Sequence, residues 1–212
     1  MPTDVRFHPR CPLGPKPMTV FKPALLIGVR EAQRLVAFQR IFLKPDGGYS
    51  QKATLGTLGT GAWRGGGLGA TIGLAEGFET ARAWSRIRGL PCWATLGSRR
   101  LDLVTIPDSV TKLILAGDND LAGRRAVARS IARFASDSRV IQVDYPVGYN
   151  DWAEALEAAE RGGGGGELSD WQRAPRSLPC STCSTFRPSP VKTQRYALPP
   201  YWHRARQSPA AI

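Results

Sequence analysis

Two short apolar runs in this chain end in carboxylates and pass at once into helical patterns. That pairing constrains the fold more than any other feature. The first is Gly73-Leu74-Ala75-Glu76-Gly77-Phe78-Glu79-Thr80-Ala81, and the second is Leu113-Ile114-Leu115-Ala116-Gly117-Asp118-Asn119-Asp120-Leu121-Ala122-Gly123-Arg124. Each reads as a strand followed by a helix, and open α/β sheets place their sites where strand ends face helix starts. Glu76 from one junction and Asp118 and Asp120 from the other are expected to converge there as oxygen ligands of the kind magnesium prefers. Side chains two apart in an extended segment share a face, so Asp118 and Asp120 should project together. Gly77 allows close backbone approach, and the helix start after it offers N–H groups to phosphate. Gly123 and Arg124 open the second helix, where Arg124 can pair with a phosphate bidentately. The plainer alternative for Asp118-Asn119-Asp120 is a helix-capping Asx turn. Glu79 reads as an early-helix acid favoured by the macrodipole.

The surrounding pattern repeats the strand–helix alternation. Strands are expected at 71–75, 91–96, 110–116 and 140–143, and helices at 78–88, 121–134 and 153–160, with Gly89 as a helix C-cap. Residues 99–107 read as a short helix or loop. Such alternation gives a parallel sheet through right-handed crossovers. Upstream, 24–33 and 34–43 read as two antiparallel strands, and Lys44-Pro45-Asp46-Gly47-Gly48 reads as a turn after the second. Period two places Arg40 on a face with Val36, Phe38 and Phe42. It reads either as an edge arginine with its stem on the sheet or as a phosphate contact in the cleft, and we lean to the contact. Prolines make helix unlikely over residues 1–23, and His8 and Cys11 read as part of a packed loop because a zinc site needs about four ligands. Residues 49–70 read as a flexible Gly/Thr-rich connector; the run at 65–67 lacks the Lys-Ser/Thr pair of a Walker loop.

The chain of 212 residues divides by composition into 1–70, a β-rich N-terminal region with its connector; 71–160, the strand–helix unit; and 161–212, a Gly/Pro/Ser/Arg-rich tail that reads as disordered. Cys180, Cys183 and His203 in that tail form only a weak zinc pattern. Of the net charge of +12, residues 1–70 hold +7, 71–156 hold +1 and 157–212 hold +4, so basic flanks surround a nearly neutral site region. A polyanionic partner fits that distribution. No signal peptide and no run of about 18 apolar residues is present, so a cytoplasmic protein with reduced thiols and no membrane partner is expected.

At the two acidic motifs the sequence resembles the Toprim domain of DNA primases, topoisomerases and related nucleases. The fuller form, L-A-E-G-F-E-T-A followed by D-N-D-L-A-G-R, is most similar to primase-type Toprim proteins of phages and mobile elements. The resemblance covers roughly residues 5–156 and is most specific between Gly73 and Arg124. It implies an α/β fold, a Toprim-like parallel sheet flanked by helices and preceded by a small antiparallel β-rich region. It implies Glu76 in acid–base chemistry or metal binding, Asp118 and Asp120 as ligands of Mg2+ (or Mn2+), and nucleic-acid or phosphate contacts at Arg40, Gly77 and Arg124. It implies primer synthesis from nucleoside triphosphates on single-stranded DNA, with a replicative helicase as a partner. Asp151 is the nearest match to a further metal-linked acid, while Asn150 stands where an acid is common. The family often carries an upstream zinc module that this sequence lacks, so a fragment, or reliance on a partner for template recognition, is also expected. A Toprim nuclease and a non-catalytic nucleic-acid-binding primase fragment remain the alternatives. A topoisomerase has no room for its tyrosine-bearing domain, and nothing but D-x-D speaks for a sugar transferase.

Overall fold

The computed structural model describes residues 4–46, 48–97, 99–135 and 137–162. Cys180, Cys183, His203 and the rest of the tail from residue 163 lie outside the described residues. The chain forms two sheets. The first is antiparallel, with strands in chain order: β1 (Val5–Leu13), β2 (Val20–Glu31), β3 (Arg34–Leu43) and β4 (Tyr49–Gly56). The second runs in the order β5 (Trp63–Gly65), β7 (Cys92–Ala94), β6 (Thr71–Ala75), β8 (Lys112–Ala116), β9 (Val140–Asp144). Its last four are mutually parallel and β5 is antiparallel to β7. Three helices complete the fold: α1 (Phe78–Arg88), α2 (Leu121–Phe134) and α3 (Trp152–Gly162). The architecture is the expected one, an antiparallel β-rich region followed by a mostly parallel sheet with helices.

Two segments correct the sequence reading. Residues 1–23 were expected to hold His8 and Cys11 in a packed loop, yet Val5–Leu13 is a strand. It is an edge strand, where a missing N–H is tolerated, and its pairing with β2 shifts between His8 and Cys11, around Pro9. Residues 49–70 were expected to be a flexible connector, yet they supply β4 and β5. β4 is an edge strand with seven of its eight residues exposed, so it carries little of the apolar alternation that marks a half-buried strand. Residues 99–107 form turns, with no helix among those described.

The second sheet is buried on both faces, which is why its strands read as continuous apolar runs. Ala75, Ile114 and Ala116 pack with α1 and α3, whereas Ile72, Leu74, Leu113 and Leu115 pack with α2. Trp84 of α1 is fully buried, and Gly89 ends α1 in the left-handed conformation (φ 67°) with its N–H on the Ser85 carbonyl.

The first sheet docks on the α1 side of the second. Val5, Ile27, Val29, Ala37 and Ile41 share a core with Trp63, Ala81 and Trp84, and Trp63 meets the Phe78 ring edge-on at 4.8 Å. Arg30 and Ala62 exchange backbone hydrogen bonds of 2.9 and 3.1 Å across the junction. The register defines the docked face: Phe7, Leu25, Ile41 and Lys52 lie side by side across the four strands, and Lys52 reaches Glu79 of α1 at 2.8 Å. The neighbouring row, Arg6, Leu26, Arg40 and Ala53, lies on the opposite face. Among the described residues no helix is long and apolar enough to cross a membrane.

Candidate active site

β6 and β8 are adjacent parallel strands whose last residues, Ala75 and Ala116, are register partners. Glu76 therefore follows directly at one C-terminal strand end, and Asp118 lies two residues beyond the other. Both are half-buried, and each has a buried carboxylate oxygen, Glu76 Oε1 and Asp118 Oδ1, with no hydrogen-bond partner. A buried carboxylate oxygen left unsatisfied is costly unless a cation or proton accompanies it. Burial is the main cause that raises the Glu76 pKa above the usual carboxylate range. The Asp120 charge adds to it and the Arg129 guanidinium opposes it. Asp118 is pushed up to about 7, first by burial, then by the charges of Glu76, Asp151 and Asp120, against a hydrogen bond from the Thr80 hydroxyl of α1. The structure thus brings Glu76, Asp118, Asp120 and Asp151 into one electrostatic cluster.

The geometry of Asp120 departs from expectation. β8 stops at Ala116, short of Asp118, and Asp120 is the N-cap of α2. Its Oδ1 accepts from the Gly123 N–H at 2.6 Å, so the capping alternative holds for this residue. Asp151 plays the same part for α3, its Oδ1 accepting from the Glu154 N–H at 2.8 Å. Gly123 is required by close approach: a Cβ there would lie 2.6 Å from the Asp118 carbonyl oxygen.

Gly77 is the N-cap of α1 and has no side-chain cap, so the first-turn N–H groups beside Glu76 lack a capping side chain. Arg124 is exposed beside the acidic loop. It donates to Asn119 Oδ1 at 3.0 Å and lies over the Tyr145 ring at 5.0 Å. Arg40 is not brought to the carboxylates. It sits on the far face of the first sheet, donates to the Pro12 carbonyl at 2.9 Å and lies over Phe42 at 5.6 Å. Lys52 of the first sheet instead reaches Glu79, three residues past Glu76, and sequence reading missed it because a strand as exposed as β4 looks like connector. Asn119 was missed too: the middle residue of D-x-D gives no signal until its partners, 27 to 31 residues later, are placed in space.

The donor set suits a divalent cation: hard carboxylate oxygens, two of them orphaned. Among the described residues, however, no three acidic, histidine or cysteine side chains converge closely enough to enclose an ion. Glu76 and Asp118 would hold it, with Asp120 and Asp151 behind them.

Two family models match the chain. Residues 1–66 match a domain of unknown function (DUF7146), and residues 71–161 match the Toprim domain. Toprim domains generally bind divalent metal ions. A search of the curated proteins finds no match. Solved structures that the chain is similar to include a DNA primase domain from Pseudomonas aeruginosa, at 16% identity and TM-score 0.49, covering 74% of this chain and 64% of that one. The primase fragment of the bacteriophage T7 primase-helicase protein matches at 17% identity and TM-score 0.46, covering 66% and 59%. The zinc-binding and RNA polymerase domains of the Aquifex aeolicus primase match at 20% identity and TM-score 0.44, covering 71% and 42%. The chain spans less than two-thirds of each of these structures.

Proposed function

We propose that this chain, whose residues 71–161 match the Toprim domain, performs primase-like, metal-dependent nucleotidyl transfer, making RNA primers on single-stranded DNA. The observation that carries the reading is the pair of orphaned oxygens on Glu76 and Asp118, set at the ends of adjacent parallel strands. Those residues would hold Mg2+ (or Mn2+), which would supply Lewis-acid charge for a triphosphate and for a 3′ hydroxyl nucleophile. Glu76 and Asp118 would hold that ion, and Asp120, one of its oxygens given to the α2 cap, would add negative charge to the site. The uncapped start of α1 at Gly77 receives phosphate oxygens, and Arg124 meets the phosphates that pass the acidic loop.

Template binding falls to the docked face of the first sheet. Phe7, Phe21 and Tyr49 are each more than half exposed. Arg10 lies 5.4 Å over Phe21 and Lys52 lies 4.6 Å over Tyr49. Exposed rings with cations beside them suit stacked bases and a polyanionic backbone. Single-stranded DNA and nucleoside triphosphates are the partners of this reading, a replicative helicase is a further one, and the cytoplasm is its site.

The test is a primer-synthesis assay with single-stranded DNA, labelled nucleotides and Mg2+ or Mn2+, comparing the wild type with Asp118→Ala/Asp120→Ala. Metal-dependent product that the variant loses supports the reading. Cleavage of labelled DNA in its place would turn it to a Toprim nuclease. A second reading, a non-catalytic nucleic-acid-binding primase fragment, draws on the lack of three converging acids among the described residues. It is favoured if the folded wild type binds DNA and makes no product.

A further inference from the structure

Asn119 separates the two aspartates of the D-N-D motif, and every polar atom of its amide is used. Nδ2 donates to the Pro146 and Tyr149 carbonyls, both at 2.6 Å, and Oδ1 accepts from Arg124 at 3.0 Å. Its backbone N–H donates to the Asn150 carbonyl at 2.7 Å. One residue therefore receives three carbonyls of the five-residue stretch 146–150. That stretch turns at Gly148 (φ 82°) and leads directly into Asp151, the N-cap of α3. Only a primary amide offers two donors and an acceptor at this reach. Aspartate has the same shape and no donor, and serine has a single donor.

From this juxtaposition we propose that Asn119 is a positioning residue: it ties the 146–150 loop to the acidic motif and holds the Asp151 carboxylate beside Asp118, where its charge supports the two acids that would hold the metal. The inference rests on the metal reading of this site. Without the amide, the loop keeps the 2.7 Å backbone bond from the Asn119 N–H to the Asn150 carbonyl and a 3.4 Å turn bond from the Tyr149 N–H to the Pro146 carbonyl, and α3 keeps its cap; the two ties from residue 119 to Pro146 and Tyr149 are lost, which leaves the loop before Asp151 held at a single point. Asn119 touches neither substrate nor ion in this assignment and acts through Asp151 alone.

The test is a double-mutant cycle read by Mn2+ affinity, from the free-ion electron paramagnetic resonance signal of the full chain, with circular dichroism melts to confirm folding. The variants are Asn119→Ala, Asp151→Asn and their combination. Asp151→Asn keeps a good N-cap and removes only the charge. Asp151→Asn and Asn119→Ala should each weaken Mn2+ binding about 10-fold, the size expected when support behind a ligand is lost. The combination should be no weaker than Asp151→Asn alone. A role that is merely structural would leave the two losses multiplying. That result, or wild-type affinity in Asn119→Ala, overturns the proposal. If Asn119→Ala does not fold, Asn119→Ser takes its place with an intermediate loss expected, and unchanged affinity in it overturns the proposal equally. Failure of the metal reading looks different: the wild type binds no Mn2+, or Asp118→Asn binds it as tightly as the wild type does.

Discussion

At Asp118, burial and charge pull against each other. Its pKa is pushed up to about 7, chiefly by burial, so between the ordinary carboxylate value near 3.8 and about 7 the native state holds a proton that the unfolded chain has released. Stability without metal should therefore be highest at low pH with respect to this group, and should fall as pH rises through that window. Glu76, raised by the same cause, acts in the same sense. Asp118→Asn should then stabilise the metal-free protein at pH 8 by about 1–2 kcal/mol, after the screening expected at a half-buried position, and should flatten the pH dependence. Thermal melts from pH 4 to 8 in a chelator read this directly. Adding Mg2+ should reverse the order of the two proteins, because the ion stabilises only the side chain that binds it. Gly123 makes the complementary point about space. Gly123→Ala sets a methyl 2.6 Å from the Asp118 carbonyl oxygen, where backbone must move, and should cost about 2–3 kcal/mol in a denaturant titration.

Asp144, the last residue of β9, shows how single elements are locked together. Its Oδ2 accepts from Trp84 Nε1 and Arg88 Nε, both at 2.9 Å, and its Oδ1 from Arg88 Nη2 at 3.0 Å, while Arg88 lies 5.2 Å over the Trp152 ring of α3. Asp144→Ala takes a carboxylate from a largely buried guanidinium and from the Trp84 N–H and should destabilise the protein by about 2–4 kcal/mol, measured by urea unfolding. Neither this lock nor the Asn119 clamp was legible in the sequence, because each joins residues tens of positions apart through side-chain geometry. What the sequence did carry was periodicity. α1 and α2 fall on the residues expected of them, as do β3 and β6, since each buries a regular face. β1 and β4 escaped because edge strands bury little, and Pro9, Pro12 and the glycines masked them. The carboxylates were legible as residue types at strand ends. Which of them cap helices was not, because the capping geometry of Asp120 depends on where α2 begins.

Across the whole molecule, the first sheet and the second share one core, so the exposed rings of the docked face hold a fixed relation to the acidic strand ends. Binding to single-stranded DNA should weaken steeply with salt, as expected of a surface that displaces counterions. Phe21→Ala and Tyr49→Ala should each lose affinity by about 1–3 kcal/mol in fluorescence anisotropy, the usual worth of one stacked base. Chelation of divalent ions should abolish the proposed nucleotidyl transfer and leave this binding in place. β5 bears on a different matter. It lies within the 1–70 region of our proposed division, whose other units are 71–160 and 161–212, yet it pairs with β7 along the border of the second sheet. The boundary between sequence families, at residues 66–71, is therefore not a seam of the fold. A gene fusion cut there would part β7 from its partner and bare an unpaired strand edge, an invitation to aggregate. An exchange of the N-terminal sheet for another would therefore have to carry β5 along or replace it in the same step.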